Sequence, residues 1–199
     1  MMLLELRQSG ILDDRIYNAI SAFSSEDLFP KTLQGFSKED LNLKIFNNIF
    51  ASKTSDIARM IYLGLSYNNK VRNVLEIGTG SGWQSALLSK IYHRVYTIEI
   101  DREAYLFSSN ILKNISNKIS HKHGDGKLGW IDAGPFDAIY IDCCLEQEPE
   151  YLYSNLVKDE GVLVAANKYD NKQYYCSCLP HSGKGLVKSN FEINRTLLL

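Results

Sequence analysis

Apolar positions along the chain change their period near residue 70. Before it they recur at helical spacing. Ile16, Ile20 and Phe23 share one face behind Asp13 and Asp14, either of which can cap a helix, and Phe29-Pro30 would end it. Ser55 stands where a cap is expected for a second helix through Ile57, Met60, Ile61 and Leu65. Beyond residue 70, short β-branched runs alternate with helical segments, a pattern that implies a largely parallel α/β sheet. Strands are predicted at Val71–Ile77, Val95–Glu99, Ile119–His123, Phe136–Ile141 and Gly161–Ala165. Helices are predicted at Trp83–Tyr92, behind Asp101 through Leu106, Ile111 and Ile115, and at Glu148–Leu156. The tail reads as two antiparallel strands, Gln173–Cys178 and Leu186–Leu198, around the turn His181-Ser182-Gly183-Lys184-Gly185.

Composition narrows this picture. The 199 residues are 45% hydrophobic and 23% charged, the balance of one ordinary globular domain. Lys and Arg number 22 against 23 Asp and Glu, a net charge of -1, so no global field draws the chain to nucleic acid or an anionic membrane. No apolar run reaches the ~18 residues of a spanning helix. The start, Met1-Met2-Leu3-Leu4-Glu5, turns acidic too early for a secretory signal, so a cytoplasmic location is expected. In that setting Cys143, Cys144, Cys176 and Cys178 are expected as reduced thiols. Neither pair has the spacing of a zinc knuckle.

The chemistry begins where the strand ending at Ile77 breaks into Gly78-Thr79-Gly80-Ser81-Gly82. Glycines let the chain turn sharply and let backbone come close to a ligand, and the following helix offers free N–H groups to a carboxylate or phosphate. Glu99, followed by Ile100, ends the next strand where an acid can accept hydrogen bonds from ribose hydroxyls. A dinucleotide site needs G-x-G-x-x-G, and here the third glycine falls one place early, with Trp83 in its stead. No Gly-Lys-Ser/Thr follows, which excludes a P-loop. Glu76, two residues before the alternate glycines, makes the string similar to motif I of class I S-adenosylmethionine-dependent methyltransferases. Asp125 in Gly124-Asp125-Gly126 is then a candidate partner for the adenine amino group; taken alone it is an ordinary Asp-Gly turn.

Longer segments carry a more particular likeness. Val74–Gln84, Gly124-Asp-Gly-Lys-Leu-Gly-Trp130 and Ala133-Gly-Pro-Phe-Asp-Ala-Ile-Tyr140 together resemble the protein-L-isoaspartate O-methyltransferase family. Leu6–Ile20, Leu28-Phe29-Pro30 and the tail Asn194–Leu198 resemble its opening helices and closing strand. The resemblance implies an α/β, Rossmann-like class I methyltransferase fold: a seven-strand, mostly parallel sheet with helices on both faces and the last strand inserted antiparallel. It implies one domain over 1–199, with a helical N-terminal cap and substrate loop over 1–70 and a core for S-adenosyl-L-methionine over 71–199. The implied cofactor-binding residues are Glu76, Gly78, Thr79, Gly80, Ser81, Gly82, Glu99, Ile100, Asp125 and Gly126. The implied partners are isoaspartyl-containing peptides and proteins, met by a monomer.

Two departures stand out. The family has Gly-Gln-Thr-Ile-Ser-Gln-Pro shortly before Val-Ala-Arg-Met, a segment implied to cover the cofactor and hold the substrate carboxylate. Here Ala58-Arg59-Met60 remains and Ser52 falls on the signature serine, but Phe50, Lys53 and Thr54 replace the threonine, glutamine and proline. Ser52 is the implied catalytic and substrate-binding donor, and Lys53 adds a compensating charge. Asp142-Cys143-Cys144 stands where the family usually has small neutral residues.

Methyl transfer to a carboxylate needs no general base, since the acceptor is ionised at neutral pH with a reference pKa of about 3.5. Absence of a catalytic His or Cys is therefore no objection. An N-methyltransferase would need an (Asp/Asn)-Pro-Pro-aromatic loop, and Asp142-Cys143-Cys144-Leu145 is not one. Two adjacent cysteines suggest a cytosine-C5 enzyme, but the rest of that pattern is missing. A class I methyltransferase with another acceptor, or a divergent homologue that binds the cofactor without repair activity, are the alternatives. His121-Lys122-His123 and Lys127 form a small basic cluster beside the proposed site, read as a solvated loop or as an attractor of acidic peptides.

Overall fold

The computed structural model describes residues 2–23, 28–29, 40–46, 49–145, 148–170, 172–182 and 185–193. Pro30, the Gly183-Lys184 pair and the tail from Asn194 lie outside them. The chain opens on two helices, α1 (Met2–Gln8) and α2 (Asp14–Ser21). Asp13 caps α2 by accepting from the Arg15 N–H at 2.9 Å, and the Arg15 guanidinium bonds back to it, holding the Asp13 carboxyl below its ordinary range.

Two short strands follow, β1 (Leu43–Phe46) and β2 (Ile49–Ala51), paired antiparallel. The sequence reading places only helices and loops there, because strands this brief give too few alternations to register as a period. Next comes α3 (Thr54–Tyr67), which Ser55 does not cap. The cap position is Lys53, whose side chain makes no capping bond, and Ser55 lies inside the first turn. The orphan amides are met from a distance instead: Asn42 Oδ1 accepts from the Lys53 N–H at 3.1 Å and Asp40 Oδ1 from the Ser55 N–H at 2.9 Å.

The rest of the chain builds the sheet: β3 (Asn73–Ile77), α4 (Trp83–Ile91), β4 (Arg94–Glu99), α5 (Arg102–Ile115), β5 (Ile119–His123), β6 (Phe136–Cys144), α6 (Glu150–Asn155), β7 (Val157–Tyr169), β8 (Lys172–Cys178) and β9 (Val187–Ile193). Its order is β5-β4-β3-β6-β7-β8-β9. The first five run parallel; β8 is antiparallel to β7 and β9 antiparallel to β8. The inserted antiparallel strand is therefore β8, not the last one, and β9 takes the edge. The reason is chain length, since connections this short can only join antiparallel neighbours. The turn from β7 to β8 passes Asp170 at φ 48°, the left-handed conformation a tight turn requires.

Both faces of the sheet are covered, unequally. On one face Ile16, Ile61 and Leu87 from α2 to α4, with Tyr92 just after α4, pack on Val74, Ala138, Tyr140 and Val164, with Ile111 and Ile115 of α5 at the margin. The other face is narrower, built on Leu152 of α6 and Leu156 just beyond it, with Trp130, against Leu75, Ile139 and Leu163. Alternate residues of each strand serve opposite faces, so Leu75 and Val74 lie in different cores. Tyr92 and Tyr140 share a buried hydroxyl contact of 3.1 Å beside Gly64, where a Cβ would overlap the Tyr140 phenol. Among the described residues no helix is long and apolar enough to cross a membrane.

Candidate active site

The glycine turn leaves the C-terminal end of β3 at the centre of the sheet, in the position where open α/β sheets form their crevice. Gly78, Gly80 and Gly82 have φ of 94°, 51° and 85°, so the turn requires three residues that tolerate the left-handed region. A Cβ at Gly78 would meet nothing within 4 Å, which leaves its backbone open to a ligand. Gly82 instead backs onto Leu112 of α5 and occupies the N-cap position of α4.

The turn is braced from β4. Glu99 Oε2 accepts from the Gly80 N–H at 2.8 Å, and its Oε1 accepts from the Asp101 N–H at 2.9 Å. Thr79 and Thr97 share a buried hydroxyl bond of 2.6 Å. Ser81 Oγ accepts from the Trp83 N–H at 3.3 Å, satisfying one amide of the first turn of α4. The Gly124 N–H donates to the Glu99 carbonyl at 2.9 Å, which ties the end of β5 to the same point.

Glu76 lies beneath the turn rather than on its surface. It is fully buried, its carboxyl accepts from the Ser85 hydroxyl, and burial pushes its pKa up to about 8. At neutral pH it is a protonated strut between β3 and α4. Gly126 is also a packing residue, since a Cβ there would run into the Ile77 side chain. Gly124 has open space, Ile100 is 68% exposed, and the exposed Asp125 accepts from the Lys127 N–H at 2.9 Å through Oδ1. Gln84, in the first turn of α4, is buried with both amide atoms unpartnered among the described residues. The open backbone at Gly78 and Gly124, the Glu99 acid and this orphan amide fit a polar ligand carrying ribose-like hydroxyls.

β2 and the residues that follow it reach the glycine turn. A Cβ at Gly80 would sit 3.4 Å from the Phe50 carbonyl oxygen, and Trp83 Nε1 donates to Thr54 Oγ1 at 3.0 Å. Ser52 Oγ donates to Asp142 Oδ2 at 2.9 Å. Lys53 is half-buried. The structure therefore brings Ser52 to the end of β6, next to the glycine turn.

Of the basic cluster, Lys122, His123 and Lys127 are exposed, in line with the solvated reading, and His121 departs from it. Burial lowers the His121 pKa to about 4, and its ring packs 4.5 Å from that of Tyr105 while Nδ1 contacts Ser109 Oγ at 3.0 Å. Lys122 lies over the Trp130 ring at 5.4 Å. At neutral pH His121 carries no charge. Cys143, Cys176 and Cys178 are thiols outside any disulfide, with Cys178 pushed up to about 11 by burial.

Sequence reasoning missed Thr97, Ser85 and Thr54 as supports of the site. A small polar residue inside a strand or helix carries no periodic signal, and its role emerges only when the partner is known.

Comparison with known proteins agrees with this geometry. The family profile described as Protein-L-isoaspartate(D-aspartate) O-methyltransferase matches residues 1–193. A protein-L-isoaspartate O-methyltransferase of Pseudoalteromonas atlantica is 31% identical over 191 residues, 96% of this chain and 89% of its own. One from Vibrio parahaemolyticus is 36% identical over 160 residues, 80% of this chain and 76% of its own. Among solved structures, a protein-L-isoaspartate O-methyltransferase superposes with a TM-score of 0.83 at 19% identity, covering 98% of this chain, which spans 64% of that one. A Plasmodium falciparum protein described as the same enzyme, in complex with S-adenosyl-L-homocysteine, superposes with a TM-score of 0.79 at 19% identity over 100% of this chain and 96% of its own. At such identity these structures speak for the fold, while the profile and the curated relatives speak for descent: the chain belongs to the protein-L-isoaspartate(D-aspartate) O-methyltransferase family.

Proposed function

We propose that this chain transfers a methyl group from S-adenosyl-L-methionine to the α-carboxylate of L-isoaspartyl residues in damaged proteins. The observation that carries the reading is one meeting point. An open glycine turn, an acid gripping its amide and a serine hydroxyl converge at the ends of β3, β4 and β6. Membership of the family supports the choice of donor and acceptor, and the S-adenosyl-L-homocysteine bound by the Plasmodium falciparum protein supports the cofactor.

The cofactor supplies an electrophilic methyl group on a sulfonium, with a neutral thioether as leaving group. Everything else falls to the chain. Glu99 keeps lone pairs on both oxygens for ribose hydroxyls after its two backbone bonds. Gly78, Thr79, Gly80, Ser81 and Gly82 supply the close backbone surface, Ile100 and Asp125 with Gly126 flank the adenine side, and Glu76 acts from below as a strut. Ser52 donates to the acceptor carboxylate and Lys53 offsets its charge. No proton need be removed, so the work of the site is alignment and exclusion of water; alignment of this kind is worth ~7–11 kcal/mol. The following amide nitrogen then attacks the ester carbonyl and expels methanol, closing a succinimide that water reopens in part to normal aspartate. The chain acts as a cytoplasmic monomer on peptide segments, without nucleic acid or membrane, in keeping with its net charge of -1.

Methanol released by base after incubation with the cofactor and an isoaspartyl peptide, beside its aspartyl twin, tests the reading. Signal from the isoaspartyl peptide alone is expected. Signal from both peptides, or binding of S-adenosylhomocysteine with signal from neither, points instead to another acceptor or to a homologue without repair activity.

A further inference from the structure

Asp142 is not used by the repair reading. It lies one residue past the Ile77–Ile141 pair of β3 and β6, beside the point where β3 breaks into the glycine turn. Ser52 arrives there from the end of β2, and its hydroxyl is donated to Asp142 Oδ2 at 2.9 Å. Both side chains are half-buried. A serine hydroxyl has a single proton. While Asp142 holds it, Ser52 turns only lone pairs toward an incoming group. An acceptor carboxylate must win that hydrogen bond from the Asp142 carboxyl oxygen already holding it. That cost falls on acceptor binding and not on the methyl donor.

We propose that Asp142 is the specificity-determining residue of the acceptor site, one that withholds the Ser52 hydroxyl and weakens the hold on an anionic acceptor. The assignment rests on the repair reading. Small neutral side chains at this position would leave the hydroxyl to the substrate. Asp142 instead sets a higher threshold for the isoaspartyl carboxylate, while the chemical step, once the carboxylate is seated, proceeds as before.

The test is steady-state kinetics on an isoaspartyl peptide at saturating cofactor, with Asp142→Ala, Asp142→Asn and the double variant Asp142→Ala/Ser52→Ala. Calorimetric binding of S-adenosylhomocysteine checks that each variant keeps its fold and cofactor site. Asp142→Ala is expected to lower KM by about tenfold, the scale of one hydrogen bond to a charged group, with kcat within about twofold. Asp142→Asn should give a smaller gain in the same direction, and adding Ser52→Ala should abolish the gain. A residue that merely supported β6 would move kcat and KM together and in the wrong direction. Ester formation with KM unchanged or raised in both single variants overturns the assignment and leaves the repair reading standing. Loss of S-adenosylhomocysteine binding in both makes Asp142 structural and also overturns it. No ester from any form, with S-adenosylhomocysteine bound throughout, overturns the repair reading and this assignment with it.

Discussion

The two halves of the site are held together in different ways. Most of the cofactor half, Glu76 to Asp101, is bonded within a span of about two dozen residues by strand pairing, turn amides and short side chains, and Gly124 to Gly126 joins it from the end of β5. The acceptor half joins residues 50–54 to Gly80, Trp83 and Asp142. One half is made by neighbours along the chain and stiffened by backbone; the other depends on a few side chains meeting across the fold. A local half keeps its geometry when the rest loosens, whereas a distant half is sensitive to any one contact.

The largest expected effect strikes the stiff half from below. Glu76 is raised from 4.5 to about 8, so the folded state holds a proton that the unfolded state releases between those values. Its contribution to stability is full below about pH 4.5 and is lost as pH rises through about 8, roughly 3–5 kcal/mol over the window. Glu76→Gln should flatten that fall in denaturant titrations from pH 5 to 9; a slope that persists removes Glu76 as its source. Next, Glu99→Ala should weaken S-adenosylhomocysteine by ~1–3 kcal/mol in calorimetry, through lost charge-assisted bonds and a loosened Gly80 amide. Unchanged affinity would take Glu99 out of the site. If the halves are separable, KM for the peptide at saturating cofactor should move much less than the cofactor affinity does.

Thr54→Val cuts a tie between the halves by leaving the Trp83 indole N–H without its acceptor. A loss of ~1 kcal/mol is expected, with a changed tryptophan emission; an unaltered stability and spectrum would show that the contact does not join them. The smallest effect is at the margin. His121 is lowered from 6.5 to about 4 by burial, so its contribution is present above about pH 6.5 and lost as pH falls through about 4. An NMR titration should find this imidazole neutral at pH 6, and a midpoint near 6.5 would return His121 to the solvated reading.

The same divide governs what could be read in advance. Strand, glycine turn, helix and acid lie in chain order, and each follows a local rule, so β3, α4, β4 and the Asp101 cap of α5 appear within a residue or two of their predicted places. Phe136 to Ile141 is legible as a buried strand because parallel strands covered on both faces read as unbroken apolar runs. The β1–β2 hairpin and the true cap of α3 are not legible. The hairpin is too short to show a period, and the amides of α3 are met by Asp40 and Asn42, residues with no sequence relation to its start. Glu76 reads as a site acid because its spacing matches a binding motif, but spacing carries no information on burial, and burial makes it a protonated strut.

By itself, then, the amino-acid sequence determined the α/β alternation, the turn that only glycine can make and the acid that faces it. Those are short-range matters of backbone sterics and periodic burial. Tertiary structure alone decided that β8 rather than β9 is the inserted strand, that Glu76 is hidden, and that Ser52 meets Asp142. Each of these depends on which distant groups share a volume from which water is excluded, and no local pattern encodes that.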